Sequence, residues 1–143
     1  PENIKIEGTV VITDTEKDLS LLRALCDSAV QTYSAKLAPK DYTYYLFAPV
    51  YAVGCSLGLP PRPSSGILSA LGVSAVEITA PVLPGNSGGP VYDARTFEVI
   101  GIAVWVKVYD YQLITTMAGI VPIGEIYKFL DSYRGTEVTE NKK

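Results

Sequence analysis

The chain has no histidine among its 143 residues, only two cysteines, and a single methionine and tryptophan. Without histidine it lacks the side chain that titrates near neutral pH and most often serves as a general base. Two cysteines, Cys26 and Cys55, with no histidine beside them cannot supply the four ligands of a tetrahedral zinc site. They read as buried thiols, with a pairing open to them only in an oxidising compartment. Charge is sparse: 19% of residues carry one and the net is −3. The basic residues are scattered, so no stripe follows a phosphate backbone and nucleic acid is not an expected partner. No apolar run approaches the roughly 20 residues of a membrane-spanning helix. Pro1-Glu2-Asn3 does not open a secretory leader and reads as an internal boundary, which leaves the location of the protein open.

What is present is a core. Hydrophobic residues make up 48% of the chain, and a domain of this length buries about two thirds of its unfolded surface. Within it stands Gly85-Asn86-Ser87-Gly88-Gly89-Pro90. A serine hydroxyl attacks a carbonyl only when a base takes its proton and backbone N–H groups receive the developing oxyanion. Gly85 lacks a Cβ, so the Gly85 and Ser87 amides can converge on one point with no side chain in the approach. The same letters also make a plain turn between strands. They fit, too, the serine elbow of α/β-hydrolases, which needs a helix directly after the serine and a later histidine. Pro90 follows at once, Val91-Tyr92 and Val99-Ile100-Gly101-Ile102 read as strands around a turn at Asp93 to Thr96, and no histidine follows. The elbow does not fit.

The rest reads as mostly β. Ile4 to Ile6, Thr9 to Ile12 and Leu19 to Leu25 are short candidate strands, and residues 27–45 form a connector with apolar residues at roughly helical spacing before Pro39. Tyr42, Tyr44 and Tyr45 lead into an extended run from Leu46 to Val53, and are expected to pack on strands with hydroxyls at the rim. Pro60 to Ser65 is a hairpin loop, Ile67 to Leu71 and Val73 to Thr79 pair around Gly72, and Leu113 to Val121 closes the sheet. Ile123, Ile126, Tyr127 and Leu130 mark one face of a helix expected to stop near Gly135, with a frayed tail beyond it.

Taken together, the hexapeptide and the following Val99 to Trp105 resemble the trypsin-like (chymotrypsin-fold) serine proteases, most closely their HtrA-like branch. Asp14 to Arg23 resembles the stretch around the family's triad aspartate, which falls on Asp18. Pro49 to Gly58 with Ser65 to Leu71 resembles the first hairpin of the second barrel, and Ala118 to Ile123 its last strand. The resemblance implies an all-β fold: a chymotrypsin-like antiparallel Greek-key barrel, the second barrel complete and the first partial, with a C-terminal α-helix. It divides the chain into remnant strands of the N-terminal barrel (1–26), a connector (27–45), the C-terminal barrel with its closing helix (46–134) and a tail (135–143). An extracytoplasmic setting goes with the family.

The resemblance further implies acyl transfer without a cofactor. Ser87 is the nucleophile, the Gly85 and Ser87 amides form the oxyanion hole, and Asp18 is the acid that orients a histidine. Pro81, six residues before Ser87, falls at the base of the pocket for the P1 residue. Val104, Trp105 and Val106 align with the segment that pairs with substrate backbone, and Gly119 with the opposite wall. With no carboxylate at Pro81 and a side chain at Val106, small or medium aliphatic P1 residues are expected. These positions could also be ordinary strand core.

The family's histidine lies a few dozen residues before its aspartate, and only 17 residues precede Asp18. Three readings stand: part of a protease whose histidine is supplied by sequence outside this chain, a protease fold retained as an inactive binding or structural module, or a lysine base, for which Lys17, Lys36 and Lys107 are the candidates. In the first, an N-terminal fragment or partner chain covers an otherwise exposed apolar face of the partial barrel.

Overall fold

Alternating burial along the strands dictates the architecture of the computed structural model, which describes residues 6–24, 34–72 and 75–140, with side chains described through Arg134. The chain divides into one unit of Pro1–Ser34 with Phe129–Lys143 and another of Ala35–Lys128.

The first unit carries a two-stranded antiparallel hairpin, β1 (Gly8–Asp14) and β2 (Leu19–Ala24). Its turn is built by Asp14, whose Oδ1 accepts the amides of Glu16 and Lys17 at 3.0 Å each. Asp18 ends the turn at φ +53°, the left-handed region that Asp tolerates better than most residues. Val10 and Leu22 face each other across the hairpin, and each is 60% exposed. The expected apolar face is therefore present. Of the candidate strand Ile4 to Ile6, the first two residues lie outside the described residues, as does Cys26.

The second unit is a closed barrel. Its strands are β3 (Pro49–Gly54), β4 (Arg62–Leu71), β5 (Val76–Ile78), β6 (Pro90–Asp93), β7 (Val99–Tyr109) and β8 (Gln112–Pro122), and the order around the barrel is β3-β4-β5-β8-β7-β6. Every neighbouring pair is antiparallel, and β3 on β6 completes the circle. Because β5 lies beside β8 and not β6, the path is a Greek key. Inward positions alternate as strand geometry requires: Val50 and Ala52, Ala118 and Ile120, Val76 and Ile78 are all buried. Helix α1 (Ile123–Glu140) follows β8 directly, with Ile123 and Ile126 buried. Among the described residues no helix is long and apolar enough to cross a membrane.

Several local expectations are corrected. The run from Leu46 becomes a strand only at Pro49, because Phe47 turns at φ +68°. β4 begins at Arg62, so the proline-rich loop is shorter than expected; Pro63 is accommodated in the strand opposite Val53. Leu37 forms an isolated parallel bridge with Val99 instead of a helical turn. Helix α1 continues through Gly135, which costs a helix only about 1 kcal/mol and has no proline after it to enforce a stop. Cys55 is an exposed free thiol, not a buried one, since it follows the last residue of β3 and opens a short 3-10 turn, Ser56–Gly58.

The tyrosines do more than pack. Tyr42 and Tyr44 meet edge to face with centroids 4.9 Å apart. The Tyr42 hydroxyl donates to Asp93 Oδ2 at 2.7 Å, while the Tyr44 hydroxyl donates to Ile100 O and accepts the Ile123 amide at 2.8 Å. Burial pushes the Tyr44 phenol up to about 12. Asp93 is 1% exposed and also accepts the Arg95 amide at 2.8 Å, Arg95 Nε at 3.0 Å and an Arg95 terminal nitrogen at 2.7 Å. Hydrogen bonding from the Arg95 side chain, before all other causes, holds the Asp93 carboxyl well below the usual carboxylate range. A depressed folded-state pKa contributes stability above the unfolded Asp value of about 3.9, and loses it as the pH falls further. Urea midpoints are thus expected to drop from pH 5 to pH 2. Asp93→Asn lowers stability by about 1–3 kcal/mol at pH 7 and flattens that acid slope. An unchanged slope in the variant would remove this clamp from the account of acid stability.

Candidate active site

Ser87 lies in the turn between Val82 and Pro90 that joins β5 to β6, and its side chain is exposed. No helix follows it: β6 starts at Pro90. The loop is pinned by its own backbone. The amide of Asn86 donates to Leu83 O at 2.9 Å, that of Gly88 to Ala103 O at 2.8 Å and that of Gly89 to Asn86 O at 2.9 Å. Between these bonded amides, neither Gly85 N nor Ser87 N donates to any protein acceptor among the described residues.

Gly85 makes the shape possible. Its φ is +98°, and a Cβ there would stand 2.3 Å from Cys55 O, a backbone atom that cannot move aside cheaply. The loop therefore rests directly on the end of β3. Leu57 N donates to Pro84 O at 2.8 Å, and Ser56 Oγ donates to Asn86 Oδ1 at 2.6 Å. Asn86 is 1% exposed, and its Nδ2 has no partner among the described residues. Ser56 and Asn86 were not singled out by the sequence reading. The glycines at 54 and 58 around Ser56 were the available signal for a tight turn under the loop.

The Ser87 hydroxyl points to Val104 O at 3.4 Å, which brings Ser87 beside β7. Trp105 stands opposite Gly119 and Val106 opposite Ala118. A Cβ on Gly119 would fall 2.0 Å from the Trp105 ring, so the indole lies flat across that glycine and no other residue fits beneath it. The residue facing Val106 is thus Ala118, with Gly119 under the indole. Pro81 is exposed, and its carbonyl accepts Ser64 Oγ at 2.8 Å.

Asp18 belongs to the hairpin unit and Ser87 to the barrel unit. Of the candidate lysines, Lys17 pairs with Asp14 at 3.3 Å and Lys36 with Glu98 at 2.5 Å. Hydrogen bonding to Glu98 raises the Lys36 pKa, the opposite of what a lysine base requires. Lys107 is exposed on β7.

Over 112 residues, 68% of the chain, the sequence is 31% identical to a protein described as a putative serine protease HhoB of Synechocystis sp., of which it spans 25%. The fold superposes on a solved structure described as the HtrA-type protease AlgW with decapeptide, with a TM-score of 0.78 and 22% identity, covering 90% of this chain and 40% of that one. The family model for the trypsin-like peptidase domain matches residues 1–102. The chain belongs to the trypsin-like peptidase domain family.

Proposed function

We propose that this chain is the nucleophile-bearing part of a serine endopeptidase. Ser87 attacks the scissile carbonyl, the Gly85 and Ser87 amides hold the oxyanion, and Asp18 orients a histidine supplied by sequence outside the chain. The observation that carries this reading is the pair of unengaged amides, at Gly85 and Ser87, in a loop whose Asn86, Gly88 and Gly89 amides are committed. Amides left free on either side of Asn86, at the serine itself, suit an acceptor that arrives with substrate. The exposed pair Val10 and Leu22 suits cover by an upstream fragment of the first barrel.

The second reading, an inactive module with a binding or structural role, is favoured by one fact: no residue of this chain is a histidine. Adding a polypeptide that carries the upstream histidine segment separates the two. Peptide cleavage that appears on addition and disappears in Ser87→Ala supports the endopeptidase, and no cleavage in any combination supports the module.

Specificity follows from Pro81 and Val106. Substrates with Ala, Val or Leu at P1 are cleaved at least about tenfold faster than those with Lys, Arg or Phe, and Val106→Gly recovers cleavage after Phe. A preference for Lys or Arg in a P1-varied peptide library would sink that assignment.

A further inference from the structure

Outside the serine loop, the outer wall of the barrel holds an apolar cleft of about 350 Å³, lined by Tyr51, Val53, Pro63, Tyr92 and Phe97. Strand alternation places it there. Val50 and Ala52 of β3 and Val91 of β6 are buried inward, so Tyr51, Val53 and Tyr92 turn outward. Tyr51 stands opposite Tyr92, and Val53 opposite Pro63 of β4. Phe97 completes the cleft from the turn between β6 and β7, its ring 17° from parallel to that of Tyr51 with centroids 6.2 Å apart.

Phe97 is held against its own preference. Its φ is +57°, a left-handed conformation that glycine or asparagine adopts with little strain and a bulky aromatic does not. Burial does not offset the strain, since the residue is 66% exposed. The turn is nonetheless locked: Phe97 N donates to Asp93 O at 2.8 Å, Asp93 N donates to Glu98 O at 3.0 Å, and the Asp93 carboxylate accepts from the Arg95 guanidinium and the Tyr42 hydroxyl. A buried carboxylate with no part in the chemistry at Ser87 thus fixes an exposed ring at a strained position. Strain enforced by the surrounding bonds collects at ligand sites, which are largely formed before the ligand arrives.

We propose that this cleft binds an uncharged, planar aromatic molecule of two or three fused rings, stacked on Tyr51 and Phe97. No charged residue lines it, so an ionic group buried there would go uncompensated. The phenol hydroxyls of Tyr51 and Tyr92 bond to no other described residue and can donate to a hydroxyl or carbonyl on the ligand's edge. A volume of about 350 Å³ is at the small end of small-molecule pockets, and the five lining residues are far fewer than the roughly 20 to 30 that a stable protein interface takes from each side. These dimensions favour a small molecule over a protein. The inference stands apart from the endopeptidase reading, which uses none of the five residues.

2-Naphthol serves as the probe. Titrated into the full chain, it is expected to bind saturably, with nuclear Overhauser contacts from its ring protons to those of Tyr51 and Phe97. Phe97→Gly removes one face of the stack and relieves the left-handed backbone, so binding weakens by about tenfold or more while the urea midpoint holds or rises. Should the midpoint fall instead, Tyr51→Thr, a strand-compatible change of the other ring, must weaken binding alike or the proposal fails. Unchanged affinity in Phe97→Gly, no saturable binding, or contacts confined to other exposed rings such as Tyr109 and Tyr111 each overturn it. Self-association in sedimentation that Phe97→Gly abolishes would give the cleft to a second copy and overturn it too.

Discussion

Gly85→Ala is expected to lower the rate of Ser87 phosphonylation, measured in the presence of the histidine-bearing segment, by about a hundredfold or more. The same change costs about 2–4 kcal/mol of stability. Both effects have one source. A methyl at a φ of +98° is strained, and this one would stand 2.3 Å from Cys55 O. Relief requires the loop to lift from the end of β3, which breaks Leu57 N to Pro84 O and turns the Gly85 amide away from its neighbour at Ser87. Urea unfolding gives the stability and timed labelling gives the rate. Full labelling in a destabilised variant would show that the Gly85 amide has no part in the chemistry.

Supplying the histidine should act in the opposite direction, and more strongly. A positioned general base is worth about 10² to 10⁴ in rate, so the lone chain reacts slowly with a fluorophosphonate and the complemented chain faster by that factor. With Asp18 in its proposed role, Asp18→Asn is expected to reduce the gain, because such an acid holds an imidazole in its working tautomer. The lysine alternative predicts no such gain: Lys17 and Lys36 are already paired with Asp14 and Glu98.

The barrel was legible in the sequence because its signals are local. Val-x-Ala and Val-x-Asp alternation in β3 and β6, glycine at the turns and Pro90 after the serine each mark a strand or its end. The shape of the Ser87 loop was legible for the same reason, since it depends on glycines within the hexapeptide itself. The buried clamp was not. Asp93 draws Arg95 from its own turn but Tyr42 from 51 residues away, and no spacing announces such a partner. The full length of the β7–β8 hairpin was missed because β8 carries Thr115, Thr116 and Met117 unpaired between Ala118, opposite Val106, and Ile114, opposite Lys107. That irregularity interrupts the alternation by which the full length of a strand is recognised. Cys55 looked like a core residue on composition alone, and its exposure follows from the turn that begins there.

The most direct measurement is peptide mapping by mass spectrometry after fluorophosphonate treatment, with the upstream histidine segment present and absent. The result expected is a phosphonyl group on Ser87 only, formed fast with the segment and slowly without it. Modification elsewhere, or none at Ser87 in the complemented protein, would contradict the assignment of this loop as a nucleophile.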